Sequence, residues 1–194
     1  MEQFIIAIGR QAGSGGREIG MRLARRLGVP CYGRQELMQI AKGTPDYEEV
    51  KSFYEEQPVD SLLYAIATNS IEKGMGHIPF RRIRQLCEKT SCVLIGRCGG
   101  YIFRGNPHAV SIFLHADPEI RARRTMQDYG LPLKKAMEQN EQTDDDRGVF
   151  HRYYTGEEWG SAPHYELCLD SGILGVEGTV EAILAYLKVR GILS

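Results

Sequence analysis

Ten residues, Gly9-Arg10-Gln11-Ala12-Gly13-Ser14-Gly15-Gly16-Arg17-Glu18, combine glycines and charges in a pattern from which a phosphate site can be built. Lacking side chains, Gly13, Gly15 and Gly16 let successive backbone N–H groups turn inward and approach an anion. A helix starting where the turn ends adds its positive dipole end to the attraction. The chemistry so indicated is binding of phosphate groups along Gly13, Ser14, Gly15, Gly16, Arg17 and Glu18, with Ser14 offering a hydroxyl or a helix cap. The turn holds no lysine, so it departs from GxxxxGK[ST]. One register sets Gly16 at the lysine position. A slip by one residue sets Arg17 there, and Arg17 is then the residue expected to supply the missing charge, with forked geometry. A dinucleotide GxGxxG fits poorly, because Glu18 stands where the third glycine belongs. The bland alternative is a tight glycine turn without a ligand.

A second constellation lies further along. Arg121 and Arg124 share a helix face at i, i+3, as do Asp144 and Arg147, and His151 continues the latter face at i+4. Transfer of a phosphoryl group needs positioning and neutralised charge more than a nucleophile, so converging arginines suit it. Arg17, Arg121, Arg124 and Arg147 are the expected catalytic cations; Arg123 points away from its neighbours and reads as a solvated ion-pair partner.

These residues need elements to hold them. Phe4 to Ile8 is an apolar run ended by Gly9, the pattern of a strand buried on both faces. Ile19, Leu23 and Leu27 then recur at helical spacing before Gly28. Val29 to Tyr32, Cys92 to Ile95, Val110 to Leu114 and Glu166 to Leu169 read as further strands. Helices are expected over Gln35 to Ala41, from Asp60 as N-cap to Glu72, after Pro79 as far as Lys89, from the Asp117-Pro118 cap to Tyr129, over a polar stretch from Pro132 to Tyr154, and at the end along Val180, Ile183, Leu184 and Leu187. Strands alternating with helices predict an α/β fold, a parallel sheet covered on both faces, in one domain over 1–194.

Composition narrows the partners. The 194 residues are 42% hydrophobic, enough for a substantial core, and the net charge of −1 lacks the basic excess of a non-specific nucleic-acid binder. Most of the 24 basic residues are arginine, a weak lean toward phosphate. Five cysteines without CxxC pairing predict free thiols rather than a disulfide framework or a zinc ribbon. No n-region or membrane-length apolar run is read at the start, which predicts a cytoplasmic protein with no membrane and no nucleic-acid partner.

The segment Ile8-Gly9-Arg10-Gln11 through Gly13-Ser14-Gly15-Gly16-Arg17-Glu18-Ile19-Gly20 resembles the opening signature of the cytidylate kinase-like family. Ile95-Gly96-Arg97-Cys98, Tyr153-Tyr154-Thr155-Gly156 with Trp159-Gly160, and the closing Leu169-Asp170-Ser171 with Gly175 to Val180 are similar to its later blocks. The resemblance spans nearly the whole chain and is weakest between Thr44 and Arg84. It implies a three-layer P-loop-type fold with a five-stranded parallel sheet and a helical lid near 118–156. It also implies a donor ATP on the glycine turn, a nucleoside monophosphate acceptor, CMP or dCMP first, and Mg2+. By the same resemblance Arg97 holds acceptor phosphate, Arg121 and Arg124 belong to the lid, and Asp144-x-x-Arg147 places Asp144 at the acceptor and Arg147 near the transferring phosphates. Ile95 and Cys98 stand where the cytidylate kinases carry aspartates, and Tyr32-Gly33 where they carry Tyr-Asp. The protein ligand of magnesium is therefore left open, with Glu18, Asp144, Asp145 or Asp146 reaching it through water. Two other readings stay open: a nucleotide-binding regulatory module with little transfer, and a kinase for another small phosphate acceptor.

Overall fold

The computed structural model describes residues 3–56 and 77–193. Five strands, β1 (Ile5–Arg10), β2 (Cys31–Tyr32), β3 (Cys92–Ile95), β4 (Ala109–His115) and β5 (Leu167–Asp170), form one sheet in the order β2-β3-β1-β4-β5. Every pairing is parallel, with Ile8 opposite both Ile95 and Ile112. The central apolar runs are explained by burial on both sides. Ile6, Ile8, Val93, Ile95, Ile112 and Leu114 face one layer, with Ile19 and Leu23 of α1 (Gly16–Leu27) and Val180, Ile183 and Leu187 of the last helix. Ile5, Cys92 and Leu94 face the other, with Leu37, Phe53, Ile83 and Phe150.

Helices α2 (Arg34–Ala41), α3 (Tyr47–Glu55) and α4 (His77–Cys87) contribute to that second layer. α3 was not legible as a helix in the Thr44 to Arg84 stretch, and α4 starts at His77 with Pro79 in its first turn rather than after it. The expected Asp60 to Glu72 helix lies outside the described residues. A short α5 (Gly99–Ile102) follows β3, and α6 (Pro118–Tyr129) packs against the long α7 (Leu133–Thr155), where the Thr125 hydroxyl donates to Asn140 Oδ1 at 2.8 Å. The closing α8 (Ser171–Val189) is broken at Gly175, whose φ of 67° and ψ of 179° are not helical.

One aromatic cluster joins α3, α4 and α7. Phe53 lies 5.6 Å from Phe80, 5.2 Å from Phe150 and 4.7 Å from Tyr154, ring centre to ring centre. The Tyr153-Tyr154-Thr155-Gly156 block thus serves packing, and Trp159 likewise sits edge-on to Phe113 at 5.3 Å. The five cysteines are free thiols, three of them buried.

The cap of α6 is as the sequence predicts: Asp117 accepts the Glu119 N–H at 2.8 Å, and Pro118 takes the first helical position. Asp117→Ala should cost about 1 kcal/mol, read as a melting temperature lower by about 2–4 °C in a domain of this size. A melting curve identical to wild type would show that the cap adds nothing to what tertiary packing of α6 already supplies.

Candidate functional site

The glycine turn follows β1 and opens α1, whose first intrahelical bond is Ile19 N–H to Gly15 O at 2.9 Å. The N–H groups of Gly16, Arg17 and Glu18 precede that ladder, as at any helix start. Gly13 and Gly15 adopt positive φ, 70° and 79°. A side chain at Gly13 would meet Arg121 O at 2.5 Å, so glycine is demanded there twice, by conformation and by space. Ser14 is fully buried, and its hydroxyl donates back to Gln11 O at 2.7 Å instead of facing outward. Gly15, not Ser14, is the N-cap.

The arginines of α6 and α7 meet this turn from behind. Arg147 Nη1 donates to Arg10 O at 3.2 Å, Arg121 Nη1 to Ala12 O at 3.1 Å and Arg124 Nη1 to Ser14 O at 2.8 Å. Three guanidiniums thus hold three alternate main-chain carbonyls. Asp144 adds a fourth tie by accepting the Ala12 N–H at 2.7 Å, and it pairs with Arg121 at 2.5 Å. The Ser171 hydroxyl donates to Ser14 O at 2.6 Å, and Arg124 Nη2 donates to Ser171 O at 2.8 Å, fastening the start of α8 to the same place. Arg123 stays in solvent beside Glu119, as expected of it. Arg17 is exposed, its Nη2 donating to Gln35 Oε1 of α2 at 2.6 Å, and Glu18 is exposed and paired with Arg22.

A residue that sequence reasoning passed over organises the strand ends. Glu56, just beyond α3, takes Arg10 in a fork at 3.0 and 3.1 Å, Arg97 Nη1 at 2.8 Å and Arg147 Nε at 3.6 Å. Its own backbone is left-handed, φ 49°, and so is the run Gly96, Arg97 and Cys98 after β3, with φ of 74°, 57° and 55°. Such a conformation costs a non-glycine residue roughly 1–2 kcal/mol, and here the ion cluster holds it. Arg97 is 2% exposed and also donates to Tyr54 O. Four guanidiniums, of Arg10, Arg97, Arg121 and Arg147, therefore face two carboxylates, Glu56 and Asp144. Nε of Arg97, Arg121 and Arg147 has no hydrogen-bond partner.

Charge states follow from this packing. Burial by itself would raise the Glu56 carboxyl, but Arg10, Arg97 and Arg147 outweigh it and hold the group well below the carboxylate range. Burial pushes Arg97 and Arg147 down to about 10, so both remain cations at neutral pH. Burial also raises Asp144, against the Ala12 N–H and its two arginines. Among the described residues no group of three His, Cys, Asp or Glu side chains could hold a metal ion, and no helix is long and apolar enough to cross a membrane.

The glycine turn, Arg97, Arg124 and Arg147 border one broad open cleft together with Arg17 and Arg34. Arg10, Arg97 and Arg147 also border a smaller cavity, walled by His151, Glu157, Trp159 and Tyr165. The sequence profile of the cytidylate kinase-like family matches residues 5–173. The chain belongs to the cytidylate kinase-like family. Comparison with curated protein sequences gave no match. Among solved structures, an uncharacterized protein from Eubacterium ventriosum is 29% identical with a TM-score of 0.77, over 97% of this chain and 100% of that one. A shikimate kinase from Bacteroides thetaiotaomicron shares the fold at 16% identity and a TM-score of 0.55, over 95% and 98% of the two chains. TT1252 from Thermus thermophilus shares it at 20% identity and 0.51, over 96% and 99%. The family member thus has a kinase-like α/β fold.

His151 gives the wall of the smaller cavity a measurable signature. Burial, reinforced by His164 and Arg104 and opposed by Glu157, lowers its imidazole from 6.5 to about 4. The unfolded chain then takes up the proton first, so stability present above pH 6.5 is lost as pH falls toward about 4. Glu56 extends the loss below its ordinary 4.5. Urea unfolding across this range should show His151→Gln flattening the upper part of the decline only. A variant that declines as steeply as wild type between these two values would contradict the burial of a neutral imidazole.

Proposed function

We propose that this protein is an ATP-dependent nucleoside monophosphate kinase that phosphorylates CMP or dCMP. The observation that carries the reading is a glycine turn, shaped at a helix start, beside a buried ion cluster with more guanidiniums than carboxylates. An uncompensated buried cation is costly, and a bound polyanion relieves it. The residues available fit a nucleotide polyphosphate: main-chain donors from Gly13 to Glu18, with the positive charges of Arg97 and Arg124 bordering the same cleft. In this reading Mg2+ would come with the nucleotide, and Glu18, Asp144, Asp145 or Asp146 would reach it only through water, Glu18 being paired with Arg22 and Asp144 with Arg121. The bound ion would draw off phosphate charge.

The chain's own part is to position and to neutralise. The turn fixes the donor phosphates at the strand ends, Arg97 lies on the side where the acceptor phosphate would sit, and α6 with α7 forms the lid. Asp144, tied to the turn through Ala12 and Arg121, orients Arg147 three residues on. Arg147 meets the charge shared by donor and acceptor oxygens in the transition state. A second reading, a nucleotide-binding module with little transfer, draws on the burial of Arg97 and its ties to Glu56 and Tyr54 O. An acceptor screen following ATP consumption across monophosphates and small metabolites separates the two. Transfer to none of them, with ATP bound, would favour the module.

On a confirmed acceptor, Arg147→Ala should lower turnover about a hundredfold, on the order of 3 kcal/mol, while ATP affinity changes little. Arg147→Lys should recover little, because an ammonium cannot reproduce the fork. Steady-state kinetics beside calorimetric ATP titration would decide this. Full turnover in a folded Arg147→Ala protein would return the residue to a purely structural role.

A further inference from the structure

The cation missing from the glycine turn has a source that the turn's own register does not show. A side chain placed on Gly16, the lysine position in one register, would lie 2.7 Å from Arg10 Cβ and 2.8 Å from Arg10 Cγ. The stem of Arg10 already fills the space in which a lysine at 16 would begin. From there the side chain runs across the ends of β1 and β3, so that a side chain on Gly96 would collide with its guanidinium. Arg10 borders both the open cleft and the smaller cavity behind it. Arg17, the other claimant, is exposed and turned to Gln35.

We infer that Arg10 does the work of the absent lysine, and that Glu56 is the counter-ion it gives up when the β- and γ-phosphate oxygens of a nucleoside triphosphate arrive. The inference rests on the donor site proposed above. Glu56 meets Arg10 through two parallel N–H···O contacts, the arrangement in which a guanidinium also grips two phosphate oxygens. The pair is largely shielded, with side-chain exposures of 13% and 12%, so the exchange takes place where charge interactions are strong. The cluster is also short of negative charge: its four guanidiniums share two carboxylates, and the unpartnered Nε of the almost wholly buried Arg97 marks donor capacity that Glu56 does not use. A phosphate chain entering there neutralises Arg10, and Glu56 stays with Arg97 and Arg147, so no cation is left bare in the bound state.

Calorimetric titration with ATP and with ADP tests this on the full chain. Arg10→Ala should bind ATP at least about tenfold more weakly than wild type, the scale of one charged hydrogen bond, and should lose more for ATP than for ADP. Arg17→Ala should lose less than about threefold, the scale of an exposed charge. Glu56→Gln removes the competitor and should tighten ATP binding. Arg10→Met/Glu56→Gln preserves the cluster's net charge, so it separates folding from binding, and should bind ATP about tenfold more weakly than Glu56→Gln alone. ATP binding at wild-type strength in folded Arg10→Ala, or a double variant that binds ATP as tightly as Glu56→Gln alone, would overturn the role of Arg10. Unchanged or weaker binding in folded Glu56→Gln would overturn that of Glu56. If the wild-type protein itself bound no ATP, the donor-site reading would fall first and this inference with it.

Discussion

Arg147, Arg121 and Arg124 each take one carbonyl of the glycine turn, at Arg10, Ala12 and Ser14 in succession, and the rest of the site follows from that grip. A glycine-rich segment has more conformations to lose than any other, so a turn of this composition does not hold its shape unaided. Here the shape is imposed by side chains from α6 and α7, by Asp144 on the Ala12 N–H and by the Ser171 hydroxyl. The ordering cost falls on folding, and a ligand meets a turn already formed.

The grip depends on the core behind it. α7 is polar along its first half and enters the aromatic cluster only near Phe150 and Tyr154, where Phe53 receives it. Phe53 belongs to α3, and three residues later the chain reaches Glu56 in a left-handed turn. One apolar contact region therefore sets both the helix that carries Asp144 and Arg147 and the carboxylate that neutralises Arg10, Arg97 and Arg147. Gly96 completes the geometry, since any larger residue there would displace the Arg10 fork from Glu56. Glycine turn, strand ends and helical layer are thus coupled by contiguous contacts.

Much of this could be read from the chain. The apolar runs at Phe4 to Ile8 and Cys92 to Ile95 locate the central strands because both faces of a parallel sheet are dry, and the observed order and pairing agree. The Asp117-Pro118 start of α6 is equally plain, since a cap is a local interaction. The spacing of Arg121, Arg124, Asp144 and Arg147 shows that they share faces, but not that three of the four spend their donors on main-chain carbonyls. Glu56 was invisible for a physical reason: it is one acid in a stretch without periodicity or motif, and its partners lie 41 to 91 positions away in sequence or on the far side of the turn. Arg10 was in plain view inside the glycine signature. Its side chain leaves the turn and crosses to β3, a path that spacing alone does not reveal, whereas Arg17, nearer by register, points to α2.

With an arginine rather than a lysine as the cation inferred for the turn, its vulnerability to covalent chemistry is altered. Acylation of a lysine erases its charge, which gives cells and reagents a simple means of silencing an amine-dependent phosphate site. Gly9 to Glu18 contains no amine side chain to acylate, and the buried cluster behind it is built from Arg10, Arg97, Arg121 and Arg147. Amine-directed labels would modify the lysines of this protein elsewhere and leave those cations charged. Dicarbonyl reagents, which attack guanidinium, would first have to enter a cluster whose members are largely shut away from solvent.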